Sequence, residues 1–544
     1  MQKILSALKN INLWLISSIC ISLLVAIPIF VIFSSFFGET SSYLALLSET
    51  FLFKYIFNTI ILLVGVLFLT FVFGVGIAYF VSFYTFPGSQ FFTWAVILSF
   101  AVPGYIYAYS LTAFFENYGT LFSLLTFFFG EANYNIYIPR IDSLLGSIFS
   151  ISFSLFVYVY LLTRALFGYQ SQNMIDAGRN MGFSSYNIFK KIILPSAKPG
   201  IVAGLSLVAM ECISDFGTVE FFNVETLTTA IYDSWITFED LNTANILSFY
   251  LLIFILIFFS LERLSRSKSR FNIPSKGFSK IEKTKLVGKK AFFVFIFCFL
   301  IFFLSFIFPL LQMIYWLIKF PDSFDLGMFF SLSYNSITVI IITCSVLIFL
   351  SFIVNYGIRV TDNKYLKALT NFSISGYAIP GIILSVTILT FSSYADQFLS
   401  EYFFILGFKT LIIGTIFGLI VAYFIRFFSL AVNGIRSGYE KLNHSLDDAS
   451  YLMGYSKIGT FAKVHVPFLK NNLILICMLL SIDLIKELPI TLILRPYNFE
   501  TFATQAYNFA SQDMLEYTAL PSLFLMLFAS FFILISKKHI LKGF

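Results

Sequence analysis

The sequence predicts an all-α membrane protein of about twelve transmembrane helices, built as two tandem parallel six-helix repeats. Three observations predict it: an apolar composition with few charges, twelve apolar stretches of spanning length, and three blocks that recur half a chain apart. Of 544 residues, 58% are hydrophobic and 12% are charged. An average soluble domain is about a quarter charged. So apolar a chain is stable in a solvent of lipid tails, and 73 phenylalanines add to that bias.

A spanning helix needs ~20 mostly apolar residues. Such stretches fall at 13–36, 55–84, 91–115, 143–166, 199–216, 243–262, 291–318, 333–356, 366–392, 403–430, 471–486 and 517–536. The first is longer than a secretory h-region and has no small-residue cleavage site, so it reads as an uncleaved helix. Lysine and arginine favour the cytoplasmic side. The start (Lys3, Lys9), the stretch 263–290 and the tail (Lys537, Lys538, Lys542) are all basic. An even number of spans separates each pair, placing all three, and hence both termini, in the cytoplasm. The segment 217–242 carries Glu220, Glu225, Asp233, Glu239 and Asp240 without Lys or Arg, as the outer side requires.

The repeat is read directly. DAGRNMGFSSYNIFKKIILP, Asp176 to Pro195, returns as DASYLMGYSKIGTFAKVHVP, Asp448 to Pro467. AVPGYIYA from Ala101 returns as AIPGIILS from Ala378, and NVETLTTAIY from Asn223 as NFETFATQAY from Asn498. The blocks keep their order, which a chance repeat would not do. An even number of spans per copy gives the copies one orientation, unlike inverted repeats. The division is then 1–262 for the first transmembrane copy, 263–290 for a basic linker and 291–544 for the second copy.

The first block sits between two spans on the basic side. Its spacing predicts a helix, a turn at Gly182 or Gly454, and a short helix stopping before Pro195 or Pro467. This segment resembles the EAA loop of binding-protein-dependent ABC importer permeases: E-A-A, three residues, Gly, nine residues, then I-x-L-P. Copy one supplies Asp176, Ala177, Gly182 and Pro195; copy two supplies Asp448, Ala449, Gly454 and Pro467. Asp stands for Glu in both copies, and Gly178 and Ser450 stand for the second Ala. The resemblance implies a type I ABC importer permease fold. It also implies that each segment is a coupling helix docked on an ATPase, with Ser184, Ser185, Tyr186, Ser456 and Lys457, which follow the turn, closest to it. The bland alternative is an interfacial amphipathic helix.

The chain has no phosphate-binding loop of its own. Its one Gly-Lys, Gly288-Lys289, has Lys283 where the first glycine belongs. ATP is therefore expected to be used by a partner, two copies of an ABC ATPase subunit, and the chain is expected to be no enzyme and to hold no cofactor. Cys20, Cys212, Cys298, Cys344 and Cys477 are scattered, and the three histidines lie far from them, so no metal site is expected.

Ser214 to Trp235 and Lys486 to Pro521 look like the ferric-iron permeases with two fused halves. That resemblance implies an extracytoplasmic iron-binding protein as partner and a bacterial inner membrane as location. The fused thiamine permease has the same layout, and other relatives carry phosphonates or polyamines. An ion-coupled secondary transporter is a further reading, against which the paired EAA-like segments argue. Glu211 and Asp215 lie near the end of the fifth span, and Asp483, Lys486 and Glu487 near the end of the eleventh. Offset by 272 residues, Asp215 matches Glu487 and Glu211 matches Asp483. Ionisable groups at membrane depth are costly, so these are candidates for the translocation path. The competing reading puts them in outer-leaflet water with Lys486 neutralising a neighbour.

Overall fold

Apolar stretches that must satisfy their own backbone in lipid fold as helices, and helices dominate throughout. The computed structural model describes residues 13–37, 42–129, 141–168, 172–267, 282–323, 325–403 and 412–542. Lys3, Lys9 and residues 268–281 of the basic linker lie outside the described residues. Among the described residues, ten helices are long and apolar enough to cross a membrane; a bent pair makes eleven, and a shorter apolar helix, Leu241–Ile257, stands where the sixth span is predicted. The chain is a multi-pass, all-α membrane protein.

Four predicted spans differ in form. The third is broken: Ser89–Ala101 and Gly104–Phe128 meet at 91°. The ninth is interrupted in the same way, with Lys364–Ile374 and a short 3-10 turn ahead of Gly381–Phe403. Both breaks fall on the Pro-Gly of the second repeated block, Pro103-Gly104 and Pro380-Gly381. Proline has no N–H to donate and disfavours helical backbone in the residue before it. Val102 is accordingly extended, with φ −102° and ψ 106°, and so is Ile379, with φ −84° and ψ 121°.

The fifth and eleventh spans are longer than predicted, and here the expected stop before proline is wrong. Helix runs continuously over Ser185–Ser214 and Lys457–Ile485, straight through Pro195 and Pro467. The physical reason is a single π turn just upstream, at Phe189–Ile193 and Phe461–His465. There the N–H of Leu194 reaches back five residues to Phe189, and that of Val466 to Phe461. Widening the helix by one residue relieves the clash between a proline ring and the preceding turn. Pro309 uses the same device behind the π turn Phe303–Ile307.

The chain divides into two compact units. One comprises Met1–Ser41, Glu239–Ser248 and Gly327–Thr504; the other comprises Ser42–Phe238, Phe249–Leu326 and Gln505–Phe544. The division 1–262, 263–290 and 291–544 describes the duplication in sequence, and the units cut the chain differently. In the first unit the amino-terminal helix Leu13–Ser35 packs on helices of the second copy. Ser22 meets the Ser373 hydroxyl at 3.1 Å, and Trp14 lies edge-on to Tyr356 with ring centroids 5.5 Å apart. In the second unit the helices Leu52–Phe83, Leu144–Gly168 and Leu194–Ser214 form the densest contact. The linker also returns there as a two-residue strand, Thr284 and Lys285 pairing parallel with Tyr84 and Thr85.

Small residues make that helix contact possible, because lipid supplies no hydrophobic drive and close van der Waals approach must. A Cβ on Gly74 would stand 2.7 Å from the Val159 Cβ and 2.9 Å from the Phe156 carbonyl oxygen; one on Gly204 would stand 2.8 Å from the Val159 Cα. Gly168 faces open space. We expect Gly74→Leu and Gly204→Leu each to lower stability by about 1–3 kcal/mol, read as a lower unfolding midpoint in detergent. Gly168→Ala should leave it unchanged, and equal midpoints for all three would refute close packing here.

Candidate coupling segments and helix-break acids

The two EAA-like segments fold alike down to individual hydrogen bonds. In copy one a helix, Gln172–Asn180, ends at Gly182, which takes φ +77°. The Phe183 N–H bonds to the Gly178 carbonyl at 3.0 Å and the Gly182 N–H to Arg179 at 2.9 Å. In copy two, Ser445–Leu452 ends at Gly454 with φ +85°, Tyr455 bonding Ser450 at 3.2 Å and Gly454 bonding Tyr451 at 2.9 Å. This pair of reversed bonds is the Schellman closure, which calls for a left-handed residue and so favours glycine. The turn predicted at these glycines is present in both copies.

Ser184 and Ser456 then cap the next helix. Their hydroxyls accept from the Asn187 N–H at 3.3 Å and the Gly459 N–H at 3.2 Å. Ser184, Ser185, Tyr186, Ser456 and Lys457 are all exposed, as are Ala177, Asp448, Pro195 and Pro467; Asp176 and Ala449 are half-buried. Asp176 accepts from Gln172 at 2.9 Å and pairs with Arg179 at 3.4 Å. Sequence reasoning passed over the apolar tips of the knobs. Met181, Leu452, Met453 and Ile458 are 72, 90, 75 and 79% exposed, an apolar surface presented beside the turns. The Met-Gly shared by both copies was the available signal.

What holds each knob differs between copies. Copy one buries Ile175 and Ile193. The equivalent positions of copy two, 272 residues on, are Asp447 and His465. Asp447 accepts from Arg359 Nε at 2.7 Å and pairs with His465 Nε2 at 2.7 Å. The Tyr439 hydroxyl lies 3.3 Å from the other His465 nitrogen. Arg359 also donates to the Leu442 and Asn443 carbonyls, at 3.1 and 3.2 Å. Burial pushes the Asp447 carboxyl up, but the hydrogen bonds from Arg359 and His465 outweigh it and hold it below the ordinary carboxylate range. None of these residues carries a repeat signal, because the copies differ at these positions.

Two of the acids proposed from sequence, Asp215 and Glu487, each lie at the helix break of their own unit. Asp215 ends the helix Leu194–Ser214, and its carboxylate accepts from the Thr218 N–H at 2.9 Å and the Thr218 hydroxyl at 3.0 Å. A Cβ on Gly104 would stand 3.3 Å from that carboxylate and 2.6 Å from Thr218 Oγ1. In copy two Glu487 accepts from the Ile490 N–H at 3.3 Å, and a Cβ on Gly381 would stand 2.8 Å from its Oε1. Arg426, buried, lies with Nε 3.8 Å from Glu487. Ser154 occupies the matching place in copy one and donates to the Val102 carbonyl at 2.8 Å. Asp483 pairs with Lys486 at 3.3 Å, as the competing reading expected for Lys486, and Glu211 is half-buried. Arg426 was missed by sequence reasoning, although an arginine inside a spanning stretch was the signal.

The third repeated block is explained by shape. Asn223 and Asn498 take φ +51° and +58°, a left-handed backbone that asparagine tolerates. Asn58 and Asn335 donate to the Glu225 and Glu500 carbonyls at 2.9 and 3.0 Å. Among the described residues no group of three or more His, Cys, Asp or Glu is arranged to hold a metal ion.

Breaking a buried ion pair by removing one partner costs ~3–5 kcal/mol. We expect Asp447→Asn to lower the unfolding midpoint clearly, and Asp448→Asn, one residue on and exposed, to leave it unchanged. Equal midpoints would show that the Arg359–Asp447–His465 network holds nothing.

Residues 71–270 match the family described as "Binding-protein-dependent transport system inner membrane component". Along its length the chain is similar to the Fe(3+)-transport system permease protein FbpB 2 of Haemophilus influenzae, 24% identical over 89% of this chain and 90% of that one. A probable sulfate transport system permease protein of Chlorella vulgaris is 28% identical over 27% of this chain and 53% of its own length. A putative 2-aminoethylphosphonate transport system permease protein of Salmonella typhimurium is 26% identical over 34% of this chain and 66% of its own. The chain is thus a multi-pass helical membrane protein with a duplicated EAA-like segment, whose residues 71–270 match the model of binding-protein-dependent transport system inner membrane components.

Proposed function

We propose that this chain is the permease of an ABC importer for ferric iron, with both halves of the translocation path on one polypeptide. The observation that carries the substrate is the similarity to a ferric-iron permease along 89% of the chain; the sulfate and phosphonate relatives match 27% and 34% of it. A separate ATPase drives it, with two copies per permease because two coupling segments of the same backbone geometry are present. An extracytoplasmic iron-binding protein delivers the ion to the acidic side. The chain lies in the bacterial inner membrane with both termini in the cytoplasm, a reading supported by the lysine and arginine asymmetry. Cysteines placed at Tyr186 and Asp240 should label from the cytoplasm and from outside respectively; the reverse pattern overturns the orientation.

Radiolabelled ferric-iron uptake tests the substrate. Cells without the chain should lose iron uptake and keep thiamine and phosphonate uptake; the opposite result would reassign the substrate.

Coupling follows from the two left-handed glycines. A non-glycine residue costs ~1–2 kcal/mol in that backbone region, and Gly182→Asp or Gly454→Asp adds charge at the docking turn. Each should abolish ATP-driven uptake while the protein still inserts, and full uptake by the double variant excludes docking at these turns.

The acids at the helix breaks are placed on the path. Asp215 and Glu487 recur at equivalent positions against a Pro-Gly break, and Glu211, Asp483 and Lys486 accompany them. An ion with high positive charge crossing the bilayer needs such oxygens. Asp215→Asn with Glu487→Gln should abolish iron uptake with ATPase binding intact; unchanged uptake removes both from the mechanism.

A further inference from the structure

An elongated cavity of about 720 Å³ lies within the unit that contains Leu13–Ser35 and the second-copy helices. Its size is that of a small-molecule site, ~300–1,000 Å³. Three helices wall it: Leu13–Ser35 through Trp14, Leu326–Thr361 through residues from Ile340 to Tyr356, and Lys457–Ile485. The wall is almost wholly apolar. Ile340 to Tyr356 covers ~24 Å of one helix at ~1.5 Å per residue, most of the ~30 Å hydrocarbon core. Ile341 and Phe349 on its rim are 60 and 65% exposed. The cavity is therefore a long groove open to the bilayer.

One end differs from the rest. Lys457, the charged residue among those lining the cavity, is exposed there. The Tyr356 hydroxyl donates to the Lys457 carbonyl at 2.7 Å, fixing the backbone that carries the ammonium. Trp14 lies edge-on to Tyr356 at this same end. An aromatic pair beside a lysine at the mouth of an apolar groove is the arrangement of a membrane interface. Basic residues between spanning helices recognise anionic head groups, and a lysine binds phosphate as a point charge.

We propose that this groove is a site for one anionic phospholipid, an acyl chain lying along Ile340–Tyr356 and its phosphate paired with Lys457. Charge and length both select that occupant: a wholly apolar ligand leaves the ammonium unused, and a compact anion leaves the groove unfilled. Because Lys457 begins the helix that follows the Gly454 turn, the lipid touches the coupling segment of copy two directly.

The test uses the full chain in nanodiscs of equal phosphatidylglycerol and phosphatidylcholine, with retained lipid counted by native mass spectrometry. Such discs are symmetric, so the result is independent of orientation and of the transported substrate. The wild-type chain should retain phosphatidylglycerol preferentially. Lys457→Gln should reduce that preference about fivefold, the equivalent of ~1 kcal/mol per basic residue at an anionic surface. Ser345→Trp, which fills the groove from an exposed position and keeps the lysine, should abolish retention of both lipids. Equal retention of the two lipids by wild type and Lys457→Gln would mean annular lipid only and overturn the proposal. Lipid binding that emerges only after residues 2–12 are deleted would make the amino-terminal segment the occupant and overturn it equally.

Discussion

A backbone carbonyl or N–H left unpaired in hydrocarbon costs several kcal/mol, and that constraint governs how this chain interrupts its helices. Pro103 and Pro380 each break an apolar stretch of spanning length. Both prolines are buried, so water does not supply the missing partners. Ser154 answers the Val102 carbonyl. Asp215 and Glu487 accept the N–H groups that begin the next short helices. A Cβ on Gly381 would stand 2.8 Å from the Glu487 carboxylate, and one on Gly104 2.6 Å from the Thr218 hydroxyl that Asp215 holds, so each glycine leaves room for the acid and its partner. The acids are thus part of the device that permits a broken helix in a membrane protein. Broken helices near membrane depth are where transporters place polar backbone toward a substrate.

The prolines at 195, 309 and 467 meet the same constraint by another route. No break is made; one π turn upstream absorbs the steric conflict and the helix continues. The consequence is mechanical. Each segment is joined to its spanning helix by continuous helix, so displacement of Ser185 or Lys457 is passed along a rod of about thirty residues.

Duplication kept the backbone of the two knobs and let their supports diverge. Copy one rests on Ile175 and Ile193, contacts without direction. Copy two rests on the Arg359–Asp447–His465 network, whose hydrogen bonds fix angle as well as distance. Removing one partner of such a network leaves a buried charge, whereas trimming an isoleucine leaves only a cavity. The two halves therefore stand on supports of unequal brittleness, although their turns superpose bond for bond.

Much of this was legible in the sequence, and the reason is locality. Spanning helices need only a run of apolar residues, so ten of the twelve predicted regions carry a helix of spanning length and one more a bent pair among the described residues, while Leu241–Ile257 is shorter and the fifth and eleventh run on through proline. The left-handed turns at Gly182 and Gly454 depend on a few neighbouring residues, and the spacing located them. The equivalence of Asp215 and Glu487 follows from the repeat itself. What the tertiary structure decided depends on partners far along the chain. Whether a proline breaks or bends a helix depends on whether one extra residue can be taken up in the turn before it; that set Pro103 apart from Pro195. Arg359 reaches Asp447 across 88 residues and Arg426 reaches Glu487 across 61, with no periodicity to announce either pair. The seating of the amino-terminal helix among the second-copy helices is likewise a property of packing, because every apolar helix in the chain offers lipid and protein nearly the same surface.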